Sequence, residues 1–153
     1  MRTMTRWGIG PKFGILTIFY SLVIYIIQNN FCTNFEFTKL KTLGLILILV
    51  GFCLFIYPAV TIDKYFNEKR LRTKGFYAYC RHPIYAIWIV IIIPGIILYW
   101  GSIIGLTIPI MSYFIFKKYI HIEEEYLLKM FGLEYRNYMN RVNSVFPKIR
   151  IVS

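Results

Sequence analysis

Long apolar runs separated by short polar or basic stretches are the main pattern along this chain. The first run, Phe13–Gln28 (FGILTIFYSLVIYIIQ), follows Arg2, Arg6 and Lys12. No small-residue cleavage site comes after it, and NNFC lacks the small residues expected before a lipidated cysteine. It is therefore read as a transmembrane helix and not as a signal peptide. A polar connection, NNFCTNFEFTKLK, leads to Leu43–Ile62. Twenty residues at about 1.5 Å each match a hydrocarbon core of about 30 Å, and Pro58 is expected to kink this helix near one end. The stretch DKYFNEKRLRTKGFYAYCRHP that follows is the most basic of the chain. Ile84–Phe116 then carries no charge. As one helix it would be about 50 Å long, too long for a single span. YWGS at Tyr99–Ser102 predicts a turn between two short arms, residues 84–99 and 102–116, with Pro94-Gly95 as a second candidate break. Gly101 and Gly105 have the GxxxG spacing that permits close helix contact, a spacing that also arises by chance.

From Lys117 onward the chain is charged, aromatic and compatible with helix. Leu127, Phe131, Tyr135 and Tyr138 recur at i, i+4, i+8 and i+11, one face of a helix. Gly132 is placed to interrupt it and Pro147 to stop it. The expected fold is an all-α integral membrane protein, a single domain over residues 1–153. It has about four transmembrane helices, including a tight helical hairpin, and a C-terminal cytoplasmic helical tail.

Composition agrees. The chain is 58% hydrophobic and 16% charged, more apolar than a soluble domain of this length can bury. The net charge of +11 would suggest nucleic acid in a soluble protein. Here the cations flank apolar runs and no soluble basic face is found, so the positive-inside rule explains them and no nucleic-acid partner is expected. Sixteen lysines and arginines precede the first helix, fill the middle loop or lie in the tail, against Lys39 and Lys41 on the other side. Both termini and the basic loop are thus expected in the cytoplasm, with the plasma membrane as the location in a prokaryote. The three cysteines, Cys32, Cys53 and Cys80, form no CxxC pair, which argues against a disulfide scaffold or a zinc knuckle. His121 and Glu125 have i, i+4 spacing, but the chain has two histidines and no HExxH, so no metal site is expected. Phosphate-binding glycine loops and GxSxG are absent from the sequence.

Two polar clusters are expected at one membrane face. One is Arg81, His82 and Tyr85. The other is Glu123, Glu124 and Glu125, with Arg141 downstream. Successive helix residues point about 100° apart, so the three carboxylates cannot all face one way. A glutamate turned inward beside a membrane requires a cation, which Arg81 or Arg141 would supply. A solvated acidic patch remains the alternative. His82 reads as a base, a metal ligand or an interfacial histidine hydrogen-bonded through one nitrogen. Tyr77, Tyr79, Tyr85, Trp88, Tyr126, Tyr135 and Tyr138 also fit an interfacial aromatic belt.

GFYAYCRHPIY, then a hairpin, then EEEYLLKMFGLEYRNYMNRV and Pro147, resembles the C-terminal half of the isoprenylcysteine carboxyl methyltransferase family, which is related to the membrane phospholipid N-methyltransferases. The resemblance covers about Gly75–Pro147, half of the chain. The chain departs from the pattern at Ile87, where the family has glycine, with Ala86 beside it. The resemblance implies S-adenosylmethionine at the cytoplasmic face, between motifs at 75–88 and 121–147. It assigns His82, Pro83, Tyr85, Glu123, Glu124, Leu127, Tyr135 and Tyr138 to the cofactor. Arg81, Glu124 and Arg141 take catalytic roles, the two arginines holding an acceptor carboxylate. Peptide groups at His82-Pro83 are expected to be offered to the cofactor, Glu124 to receive its ammonium or orient an arginine, and tyrosines to enclose the adenine. The implied acceptor is a lipophilic small molecule or lipidated substrate entering sideways from the bilayer. The implied activity is most like protein-S-isoprenylcysteine carboxyl O-methyltransferase. The alternatives are a phospholipid N-methyltransferase, a non-catalytic membrane scaffold, or a lipid reductase using a nicotinamide cofactor.

Overall fold

The structure is a computed structural model that describes residues 8–31, 40–67 and 70–147. Arg2, Arg6, Cys32, Lys39, Lys69, Lys148 and Arg150 lie outside the described residues. The chain folds as α1 (Gly10–Phe31), α2 (Lys41–Asn67), a 3-10 turn (Gly75–Ala78), α3 (Pro83–Ile87), a π turn (Trp88–Ile92) and α4 (Ile93–Trp100). A second 3-10 turn (Ile104–Leu106), α5 (Thr107–Phe131) and α6 (Leu133–Arg141) complete it. Three segments among the described residues are long and apolar enough to cross a membrane: Gly10–Asn30, Lys41–Thr61 and Pro83–Trp100. In the third, 44% of the span is buried within the protein, against 11% and 17% for the first two. The third span is therefore the centre of the bundle, and α1 and α2 turn large apolar side chains such as Ile18, Phe19, Leu49 and Ile56 outward, as lipid-facing helices do.

The third span continues through Pro94, where a break was a candidate. Proline has no N–H to donate, and its ring crowds the carbonyl four residues earlier. The helix accommodates this by widening into the π turn, in which the Ile93 N–H donates to the Trp88 carbonyl. Gly95 then lets α4 approach α2. A Cβ on Gly44 of α2 would lie 2.4 Å from the Tyr99 backbone nitrogen, and one on Gly95 would lie 3.1 Å from the Gly44 carbonyl oxygen. Close helix contact thus comes from Gly44 and Gly95, while Gly101 and Gly105 serve the hairpin turn. Gly101 adopts φ 83° as the left-handed cap of α4. Buried Ser102 donates to Gln28 Oε1 (3.0 Å) and accepts from the Gly105 N–H (2.9 Å), which satisfies polar groups that lipid would leave unpaired.

The fourth expected span, residues 102–116, and the tail differ from the expectation. Residues 102–106 are used in the turn, and α5 runs without interruption from Thr107 to Phe131. Its apolar part, through Phe116, covers only about 15 Å. The apolar pattern alone did not show this, because the helix crosses the change in polarity at Lys117 without a break. Gly132, at φ 53°, then separates α5 from α6. In the resulting bundle α2 packs on α4 and α1 on α5.

Candidate functional site

The site is assembled where the residues before α3 meet α5 and the segment after α6. Pro83 stands at the start of α3, where its missing N–H costs nothing. His82 before it has φ −124° and ψ 65°, outside the helical region. The Arg81 N–H donates to the Asn143 carbonyl (2.8 Å) and the His82 N–H to the Ser144 carbonyl (3.0 Å). These two bonds lace the RHP segment to the chain after α6. They also correct one expectation: the peptide N–H groups here are engaged with the tail and are not offered to a ligand.

The Arg81 guanidinium is fully engaged as well. Its Nε (3.0 Å) and Nη2 donate to Glu124 Oε1. Its Nη1 donates to the carbonyls of Met139 (3.2 Å) and Val142, groups at the end of α6 that the helix leaves without partners. On α5, Glu123 and Glu124 face inward, with side chains 13% and 15% exposed, while Glu125 is exposed. The 100° step between neighbours therefore divides the acidic run in two, and the solvated-patch alternative holds for Glu125 only.

His82, buried, lies between the two inward carboxylates. Its Nδ1 is 3.5 Å from Glu123 Oε1 and its Nε2 is 3.1 Å from Glu124 Oε1. Burial opposes the charged imidazole, but the hydrogen bonds and charges of Glu123 and Glu124 outweigh it and raise the His82 pKa above its usual value. Burial likewise opposes the Glu124 carboxylate, and His82 and Arg81 outweigh it and hold its pKa below the usual range. Both ring nitrogens are directed at carboxylates, so His82 links Glu123 to Glu124.

Glu123 has further partners. Its Oε2 accepts from the Ile9 N–H (3.3 Å) and the Tyr85 hydroxyl (3.2 Å). Gly8, at φ 54°, passes so close that a Cβ would meet this carboxylate. The residues entering α1 thus cover the site, which the sequence pattern did not indicate. On α6, the Tyr138 hydroxyl donates to the Tyr77 carbonyl. Tyr135 is 1% exposed, yet its hydroxyl has no hydrogen-bond partner among the described residues. Burial pushes the phenol pKa values of both tyrosines up, so both remain neutral.

A cavity of about 900 Å³ opens from this cluster. At its polar end the walls are Arg81, His82, Tyr85, Glu123, Tyr135 and Tyr138, with Leu127 and Tyr77 beside them. It follows α1 from Gly10 to Tyr25, about 22 Å along the helix axis, and its far walls include Ile93, Ile97 and Trp100. Of the residues singled out in the sequence, Pro83 and Glu124 stand behind the wall as supports. Arg141 is exposed at the end of α6 and is not part of the cavity wall. Ile87 is buried in the core and also lies outside the wall, so the missing family glycine does not narrow the cavity. Gly8, Arg70 and Arg72 line it without having been expected. The one signal for the two arginines was the basic loop itself, which the positive-inside rule already explained, and Gly8 had none. Among the described residues no cluster of His, Cys, Asp and Glu suits a metal ion.

Comparison with known proteins bears on this geometry. The protein-S-isoprenylcysteine O-methyltransferase of Rattus norvegicus is 30% identical over 140 residues, 85% of this chain and 49% of that protein. The methanethiol S-methyltransferase of Crocosphaera subtropica is 25% identical over 130 residues, 79% of this chain and 50% of that protein. The solved structure of a eukaryotic intramembrane Ras methyltransferase, isoprenylcysteine carboxyl methyltransferase, superposes with a TM-score of 0.65 at 26% identity, covering 91% of this chain and 53% of that one. The chain spans about half the length of the curated relatives it matches. The family pattern described as isoprenylcysteine carboxyl methyltransferase matches residues 42–129, from α2 through the glutamate pair, and this multi-pass integral membrane chain belongs to that family.

Proposed function

We propose that the chain is an S-adenosylmethionine-dependent methyltransferase for a lipophilic acceptor that enters from the bilayer, most like the protein-S-isoprenylcysteine carboxyl O-methyltransferases among its relatives. The observation that carries this reading is the single cavity joining the charged, tyrosine-lined cluster to an apolar groove between α1 and α4. At about 900 Å³ it lies near the top of the ~300–1,000 Å³ range of small-molecule sites, room for a cofactor and part of an acceptor.

The polar end suits the cofactor. The buried Tyr135 hydroxyl, without a partner among the described residues, suits a ligand acceptor, Glu123 suits an ammonium, and Tyr77, Tyr135 and Tyr138 present aromatic surface to a purine. When bound, S-adenosylmethionine supplies a methyl group on a sulfonium, a leaving group that needs no proton donor. The protein's task is then alignment and exclusion of water. Glu124, through Arg81 and His82, braces the RHP segment against α5 and α6. Ile93, Ile97 and Trp100 hold an apolar tail, and a carboxylate acceptor requires no base. The charge asymmetry of the loops supports a cytoplasmic site with both termini on that side.

Purified protein in detergent should bind S-adenosylmethionine in calorimetry. With methyl-labelled cofactor and an S-farnesylated N-acetylcysteine, it should form a base-labile methyl ester. Folded protein with no cofactor affinity would refute the reading. Base-stable label on another acceptor would retain methyl transfer and reassign the acceptor to an amine or a thiol.

A further inference from the structure

We propose that the seam between α1 and α5 binds an anionic membrane phospholipid, with its headgroup phosphate held between Lys12 and Lys118. The two helices run antiparallel, and contacts along the seam fix their register. The Ile9 N–H donates to Glu123, Lys12 lies over the Tyr119 ring, and the Tyr20 hydroxyl donates to Thr107. Lys12 immediately precedes the apolar run of α1, and Lys117 and Lys118 immediately follow the apolar part of α5. The register therefore brings all three lysines to one level, at the rim of the apolar surface. All three are exposed.

Lys12 and Lys118 share one aromatic ring. The Nζ of Lys12 is 4.1 Å from the Tyr119 ring centroid and that of Lys118 is 5.8 Å from it. The ring attracts each ammonium and so draws together two charges that repel each other. None of the three lysines forms an ion pair among the described residues. The exposed carboxylate of α5, Glu125, stands seven residues past Lys118, about 10 Å along the axis. Exposed His121 lies between them and adds no negative charge. The patch thus holds positive charge that no side chain compensates, and one phosphate can bridge both ammonium groups.

The surface on the bilayer side of these lysines is apolar on both helices. Ile15 and Phe19 stand at i+3 and i+7 from Lys12, on its face of α1, and both are exposed. Phe114 and Met111 stand at i−4 and i−7 from Lys118, on its face of α5, and both are exposed. A cation pair at the head of two apolar stripes matches an anionic head carrying hydrocarbon chains, as basic pockets between membrane helices do. A free phosphate would use only the cations. A zwitterionic headgroup would bring a cation of its own, which the lysines repel. Lys12, Lys118, Tyr119 and Phe114 do not line the cavity, so this lipid is separate from the methyl acceptor and the proposal does not depend on the methyltransferase reading. A lipid bound to the folded seam raises the stability of the fold.

The test uses the full chain in mild detergent with phosphatidylglycerol, phosphatidylcholine or inorganic phosphate added. Bound lipid is counted by native mass spectrometry, and the melting temperature is followed in parallel. The wild type is expected to bind phosphatidylglycerol about 10-fold or more in preference to phosphatidylcholine and to melt higher with it, since each lysine near an anionic headgroup contributes about 5-fold. K12Q and K118Q should each lose about 5-fold in affinity for phosphatidylglycerol, and K12Q/K118Q should bind the two lipids alike. K129Q, three turns further along α5, should match the wild type. A preference that survives in K12Q/K118Q overturns the proposal, as does a wild type that binds both lipids alike. An equal loss in K129Q would reduce the effect to net charge and overturn the site. A thermal shift with inorganic phosphate as large as that with phosphatidylglycerol would overturn the lipid as its occupant.

Discussion

Glu123 and Glu124 are adjacent in sequence and differ in role. Glu124 joins Arg81, His82 and, through Arg81, the end of α6, while Glu123 faces the cavity and the residues entering α1. Removing one partner of a mostly buried charge cluster costs about 3 kcal/mol or more. Glu124→Gln should therefore lower the melting temperature in detergent clearly, and Glu123→Gln should lower cofactor affinity with a smaller stability change. A larger thermal loss for Glu123→Gln would contradict this division. The same cluster sets a pH dependence. His82 has a raised folded pKa, so its contribution is complete below its ordinary value of 6.5 and is lost as pH rises through the folded value. Glu124 has a lowered one, so its contribution is complete above 4.5 and is lost as pH falls through the folded value. Stability from the pair should be greatest between about pH 4.5 and 6.5, the ordinary values of the two groups. In melting curves from pH 4 to 9, His82→Gln should flatten the alkaline side.

At the scale of elements, two glycines of similar appearance separate packing from function. Gly44 has the α4 backbone 2.4 Å from where a Cβ would stand, and Gly14 has nothing within 4 Å and borders the cavity. Gly44→Leu should prevent α2 from docking on α4, read as loss of a monodisperse peak in detergent. Gly14→Leu should fold with an unchanged melting temperature and bind a prenylated probe several-fold more weakly. The apolar runs themselves made α1, α2 and the third span legible, because twenty apolar residues without charge have few other stable states. The hairpin turn at Tyr99–Ser102 was legible for the same reason, through excess length. The start of α5 was not. Composition reports where lipid ends, whereas the hydrogen-bonded helix continues past that point when it has a partner to pack on. Phe116 and Ile120 give α5 such a face, buried against Ile9, Phe13 and Tyr85.

Across the whole molecule the site depends on the segment after α6. Asn143 and Ser144 accept from the RHP backbone, and Val145 packs in the core with Tyr85 and Phe116. Ending the chain at Val142 would remove two hydrogen bonds and one buried valine, about 3 kcal/mol together. Cofactor affinity should fall along with the melting temperature; truncated protein that keeps both would show that the site is held from α5 alone. The sequence by itself determined that this is a helical membrane protein and that the RHP and glutamate motifs belong together. Those properties follow from transfer free energies and from residue types at short range, which a linear pattern records. Only the tertiary structure decided which cations are already engaged by neighbouring carboxylates, that Gly8 and Ile9 cover Glu123, and that Arg72 stands in the wall between Tyr57 and Tyr77. Each depends on groups far apart in the chain meeting at one place, and on charge being balanced there, which no local spacing can express.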